Sequence, residues 1–145
     1  MVRTQDVAAV LGGAPALQAD ITGVPALQNV IRLGIPAVAL DELVRRLGLS
    51  RSEAAHVFGI PERTLTRRLS TRSRLTPTES DRAVRVARIV AAALEYLGDE
   101  SLAVAWLRDE NRALGGARPL EQLDTEIGAR EVEDVLGRIA YGVYS

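Results

Sequence analysis

The sequence contains no cysteine, which removes disulfides and thiolate chemistry and fits a reducing compartment. It contains no lysine either, since all 18 basic residues are arginine. The paired glycines in residues 111–116 (NRALGG) therefore lack the lysine that a phosphate-cradling P-loop requires. There is one histidine, His56, so no His pair is available for a metal. Glu131, Glu133 and Asp134 read as a solvated helix face with no cleft around them, so neither a metal, nor a cofactor, nor acid–base catalysis is expected. No apolar run approaches the roughly 20 residues that span a bilayer. The opening residues, MVRTQDVAAVLGGAPALQAD, lack a signal-peptide layout. A cytoplasmic protein with no membrane partner is the expectation.

What is present suffices for a folded domain: 145 residues, 47% hydrophobic and 26% charged, enough for one compact unit or two small helical lobes sharing a core. The net charge of −1 hides a separation along the chain. Residues 51–90 carry nine arginines and four carboxylates, whereas residues 91–145 carry five and eleven. A basic middle attracts phosphate and an acidic end repels it, so nucleic acid is expected at residues 51–90 and another partner at the end. Segregation of solvated charges by chance would give the same count.

The most structured signal is residues 50–69, SRSEAAHVFGIPERTLTRRL. Ser50 and Glu53 form a capping box, Gly59 stops the first helix, and Pro61 sits where a second helix opens. Ala54, Ala55, Phe58, Ile60, Leu65 and Leu69 supply an apolar wedge for this helix-turn-helix layout. With Leu65 and Leu69 inward, Arg63, Thr66, Arg67 and Ser70 face outward. Two arginines a turn apart suit guanine edges in a major groove, and Arg68, Arg72 and Arg74 suit phosphates. An ordinary helical hairpin with solvated arginines is the competing interpretation.

The surrounding pattern is all-α. Residues 1–35 carry weak signals, two short helices or a loosely packed arm. Ala39, Leu40, Leu43, Val44 and Leu47 recur at helical spacing and predict the first helix of a helix-turn-helix region over residues 36–75. Thr76 and Glu79 make a second capping box, opening a long connecting helix over residues 76–98. Its stripe is Val84, Ala87, Val90, Ala91, Leu94 and Leu97, with Arg82, Arg85 and Arg88 solvated or paired, and phosphate contact as the second reading. Residues 99–145 predict a small helical lobe: a helix with Leu102, Ala105 and Trp106 inward, a turn at 111–116, a short helix from Pro119, and a last helix with Val132, Val135, Leu136 and Ile139 on one face.

Residues 103–145, AVAWLRDENRALGGARPLEQLDTEIGAREVEDVLGRIAYGVYS, resemble the C-terminal toxin-binding domain of the Xre/MbcA/ParS antitoxins. The shared features are the Trp-Leu helix, an Asn before Leu-Gly-Gly, Pro-Leu, a Thr-Glu-x-Gly turn and the closing Arg-Ile-x-Tyr-Gly-Val-Tyr. Glu79-Ser80-Asp81-Arg82 and Leu65-Thr66-Arg67-Arg68 are also similar to that family, extending the resemblance over residues 36–145. In place of the proline expected just before Asn111 the chain has Asp109-Glu110. The resemblance implies a helix-turn-helix lobe joined by a long helix to a toxin-binding lobe, a homodimer, and neutralisation of a RES-domain toxin that consumes NAD or a relative that uses it to modify a protein. It also implies operator DNA as a partner and repression of the antitoxin's own operon. The toxin-facing residues it implies are Asn111, Arg138, Tyr141, Gly142, Val143, Tyr144 and Ser145, with the end of the chain covering the toxin's active-site entrance. Tyr141 is expected to be partly buried and Tyr144 presented. A stand-alone helix-turn-helix regulator, whose C-terminal lobe dimerises or binds a ligand, is the alternative.

Overall fold

A computed structural model describes residues 2–142. It is built from helices: α1 (Thr4–Val10), α2 (Gly13–Leu17), α3 (Val24–Leu33), α4 (Ala37–Leu47), α5 (Arg51–Phe58), α6 (Glu62–Thr71), α7 (Pro77–Leu97), α8 (Glu100–Arg108) and α9 (Glu126–Ala140). Two 3-10 turns, Arg112–Leu114 and Pro119–Gln122, join the last two helices. There is no strand among the described residues. One isolated β-bridge pairs Pro36 with Arg74, and the Leu75 amide donates to the Ile35 carbonyl at 2.8 Å. This clasp closes the α4–α6 unit at its two ends.

Local chemistry sets the boundaries. Ser50 Oγ accepts from the Glu53 amide at 3.1 Å and Glu53 Oε1 from the Ser50 amide at 3.0 Å, so the first expected capping box is formed. Thr76 and Glu79 repeat the arrangement at α7, at 3.1 and 2.9 Å. Asp99 caps α8 through the Leu102 amide and Thr125 caps α9 through the Gly128 amide. Gly128 is required sterically: a Cβ there would run into the Gln122 carbonyl of the preceding turn. Close approach of α9 to that turn thus accounts for the glycine of the Thr-Glu-x-Gly sequence.

Helix α7 is the axis of the molecule, about 31 Å long at the standard rise per residue. It packs against α1, α3, α5, α8 and α9. Ala83, Val86, Ala87, Ile89, Val90, Ala91, Ala92 and Ala93 are all buried on it. That surface is wider than the expected stripe, whose Val84, Leu94 and Leu97 are only partly buried. The small alanines let helices approach on several sides at once. Ser80, near its start, is the one buried polar side chain among the described residues; its Oγ accepts from the Ile35 amide at 2.9 Å.

Residues 1–35 form three helices, and Val7, Val10, Leu11, Leu17 and Val30 enter the same core as α7. One expectation is corrected. In α8 the inward side chains are Ala103 and Leu107, both fully buried. Leu102 is instead 59% exposed, Ala105 is exposed and Trp106 is only partly buried. The buried face is thus the one carrying Ala103 and Leu107, and Arg108, the last residue of α8, bonds the Leu47 carbonyl and the Glu53 carboxylate.

Candidate nucleic-acid interface and partner-facing surface

Helices α5 and α6 meet at a corner set by Gly59 in the left-handed conformation, at φ 64°. Ala54, Phe58, Ile60 and Leu65 seal the corner, and Leu69 packs against the same core. Arg82 of α7 donates to the Gly59 carbonyl at 2.8 Å and holds the corner from behind. Helix α6 begins at Glu62, with Pro61 as its N-cap, and runs to Thr71. Arg63, Thr66, Arg67 and Ser70 are exposed together on its outer side, as the helical spacing predicts. Ser70 Oγ bonds the Arg67 carbonyl at 3.1 Å, so its hydroxyl is held along the helix.

The three arginines expected to meet phosphate have different situations. Arg68 is turned inward: its Nε and Nη2 donate to Glu79 at 3.0 and 3.3 Å, and both side chains are mostly covered. This contradicts a phosphate role for Arg68, because the guanidinium already holds α6 on the first turn of α7. Burial pushes the Glu79 carboxyl up, but the Thr76 amide and Arg68 outweigh it and leave it below the usual glutamate range. Arg74 is exposed, yet it donates to the Gly34 carbonyl at 2.8 Å and Gln18 Oε1 at 3.1 Å, bracing the clasp. Arg72 caps α6 in the left-handed conformation and is exposed.

The basic middle and the acidic end are joined in space. Arg88 of α7 donates to Glu133 at 3.1 Å and to Glu126 at 3.0 Å, both on α9. Arg85 lies 3.4 Å from Glu126 as a charge contact. Burial raises the Glu126 carboxyl, but hydrogen bonding and charge from Arg88, with Arg130 and Arg85, hold it below the ordinary value. On the other flank, a cleft of about 580 Å³ separates α5 from α8 and the 119–122 turn; Glu53, His56, Arg108 and Arg118 line it. His56 is exposed there, as a surface residue of the scaffold helix.

At the end of α9, Arg138, Tyr141 and Gly142 are exposed together. Tyr141 is 81% exposed, which corrects the expectation of partial burial: α9 has reached its last turn and no described residue covers the ring. Arg138 and Tyr141 line a shallow concavity with Tyr96, Glu133, Asp134 and Gly137. Burial and the neighbouring charges of Glu95, Tyr141 and Glu133 push the Tyr96 hydroxyl up, keeping it a neutral donor. Tyr96 comes from α7, distant in sequence, so nothing local in the chain marks it as part of this surface. Asn111 does something else: its Oδ1 accepts from the Ala113 amide at 2.9 Å and its backbone N–H donates to the Ala117 carbonyl at 3.0 Å, so it shapes its own turn. Val143, Tyr144 and Ser145 lie outside the described residues. No group of His, Asp or Glu that could hold a metal occurs among the described residues, and no described helix is long and apolar enough to cross a membrane.

Comparison with known proteins places both surfaces in one context. Residues 15–88 match the antitoxin Xre-like helix-turn-helix domain, and residues 92–142 match the antitoxin Xre/MbcA/ParS C-terminal toxin-binding domain. The two matches meet on α7. An Xre antitoxin of Yersinia enterocolitica is 36% identical over 82% of this chain and 81% of its own length. An Xre antitoxin of Pseudomonas putida is 36% identical over 75% of this chain and 67% of its own. A Sphingobium protein named Prs ADP-ribosylating antitoxin is 25% identical over 81% of this chain and 79% of its own. With a helix-turn-helix match over half its length, a toxin-binding domain at its end and relatives at this level of identity, the chain belongs to the Xre family of antitoxins, proteins that bind a toxin rather than catalyse a reaction.

Proposed function

We propose that this antitoxin neutralises a RES-domain toxin that consumes NAD, covering the toxin's active-site entrance with the end of α9 and the residues that follow it. The observation that carries this reading is Tyr141, 81% exposed beside Arg138 within the region matching the toxin-binding domain. An aromatic ring standing off a rigid helix loses little entropy on docking, and such residues dominate protein–protein affinity. The Sphingobium relative bears the name of an antitoxin concerned with ADP-ribosylation, a reaction that draws on NAD; this supports an NAD-using partner for the present chain. We further propose that the protein acts as a homodimer and represses its own operon through α6, with Arg63 and Arg67 reading base edges. The test is to express the adjacent toxin reading frame alone and with this chain while following growth and cellular NAD. Co-expression should restore both, and a toxin whose expression leaves NAD unchanged would refute the assignment of its chemistry.

A further inference from the structure

Beside α6 runs a groove of about 610 Å³ whose far wall, on α4 and α5, the helix-turn-helix reading does not use. Three arginines from three different elements line it: Arg45 from the last turn of α4, Arg51 from the first turn of α5, and Arg72 at the end of α6. Thr66 and Ser70 form its near wall, and they also belong to the exposed face that carries Arg63 and Arg67. The one carboxylate in the lining is Asp41, which holds the Arg45 Nε at 2.9 Å while leaving that side chain 78% exposed. Arg51 and Arg72 are exposed.

We infer that this groove is a phosphate clamp: one DNA backbone passes along it while α6 lies in the adjacent major groove, and Arg45 and Arg51 belong to the footprint with Arg72. The inference rests on the reading of α6 as the recognition helix and extends it to residues on α4 and α5. Its geometry follows from size. A helix with side chains is about 10–12 Å across and a major groove about 12 Å wide, so the sugar-phosphate strand bordering that groove must run close beside the helix. A strand borders the groove on each side of the helix, and the side lined by Arg45, Arg51 and Arg72 offers one of the two a channel with unburied positive charge. Arg68 and Arg74 are not available in the same way, since one is turned into Glu79 and the other braces Gly34 and Gln18. Asp41 orients Arg45 without removing it, because the Arg45 side chain stays 78% exposed beside it and can still reach a phosphate oxygen.

The clamp has a signature that base-reading contacts lack. Each phosphate contact releases counterions, so its loss flattens the dependence of log K on log salt by about 0.9 and weakens all sequences alike. The experiment measures binding of the full chain by fluorescence anisotropy across a salt series. Two duplexes serve as probes: the DNA immediately upstream of this reading frame and a scrambled duplex of equal length. The Arg45→Ala, Arg51→Ala double variant should flatten the slope by about 1.8 on both duplexes. Arg51→Lys, which keeps a point charge, should keep its share of the slope. Both arginines are surface residues, and circular dichroism with thermal melting verifies that the fold is kept. If the wild-type chain binds but the double variant retains its slope, or loses only the upstream duplex, the clamp is overturned while α6 stands. If the wild-type chain retains neither duplex, the reading of α6 and the clamp fall together.

Discussion

Arg108, the last residue of α8, donates to Glu53 Oε2 at 3.1 Å and to the Leu47 carbonyl at 2.9 Å. Glu53 is also the residue that closes the capping box of α5, accepting from the Ser50 amide. One carboxylate therefore starts the scaffold helix of the helix-turn-helix and ties it to the toxin-binding lobe. Arg108→Ala removes these bonds from a partly exposed site, for an expected loss of about 1–2 kcal/mol and a melting temperature lower by a few degrees. A calorimetric scan measures it, and an unchanged melting temperature would show the tie to be energetically silent.

Replacing Arg63 and Arg67 by alanine should abolish retention of the upstream duplex in a gel shift and spare toxin neutralisation. Each paired guanine contact is worth about 1–3 kcal/mol of discrimination. Retention by the double variant would remove α6 as the reading helix.

Tyr141→Ala should weaken toxin binding at least tenfold, on the order of 1.4 kcal/mol, without moving the melting temperature, because the ring is 81% exposed. Deleting residues 143–145 should likewise weaken neutralisation while leaving the fold. Full protection of cells by both variants would put the toxin contact elsewhere.

Ser80→Ala leaves the buried Ile35 amide without its acceptor, since Ser80 Oγ receives it at 2.9 Å. The expected cost is about 1–3 kcal/mol. Faster hydrogen exchange at Ile35 would locate the loss, and a stability equal to wild type would mean that water replaces the hydroxyl.

The acid side of the stability profile follows from Glu79 and Glu126, both held below the ordinary glutamate value against the opposing effect of burial, Glu79 by the Thr76 amide and then Arg68, Glu126 by Arg88 with Arg130 and Arg85. A carboxyl depressed in the folded state stabilises above its unfolded value and loses that contribution as pH falls through the depressed one. Stability should therefore be flat near neutrality and decline below about pH 4.5. Glu79→Gln should lower stability at neutral pH and make that decline shallower; an equally steep decline would exclude Glu79 as a contributor.

Much of this architecture is written locally. Ser50 with Glu53 and Thr76 with Glu79 satisfy their own helix ends, so both boundaries are readable over four residues. The outward face of α6 follows from the period of Leu65 and Leu69. Helix α2 is different: it has five residues, opens on Gly13 and ends on Gln18 in a left-handed conformation that no glycine announces. The burial of Leu11 and Leu17 depends on contacts with helices far along the chain, and a weakly periodic segment gives no sign of them. Arg68 shows the same limit, because the helical wheel places it beside the outer face while Glu79, eleven residues on, decides where it points. Tyr96 joins the concavity beside Arg138 and Tyr141 only because α7 and α9 lie side by side.

The pairing of Arg85 and Arg88 with Glu126 and Glu133 bears on how such proteins can be recombined. The two family matches meet between residues 88 and 92, the natural joint for exchanging halves between relatives. A hybrid spliced there inherits its guanidinium groups from one parent and their counter-ions from the other. Joining a toxin-binding half to a different helix-turn-helix half thus calls for matched charge across the seam as well as an intact α7.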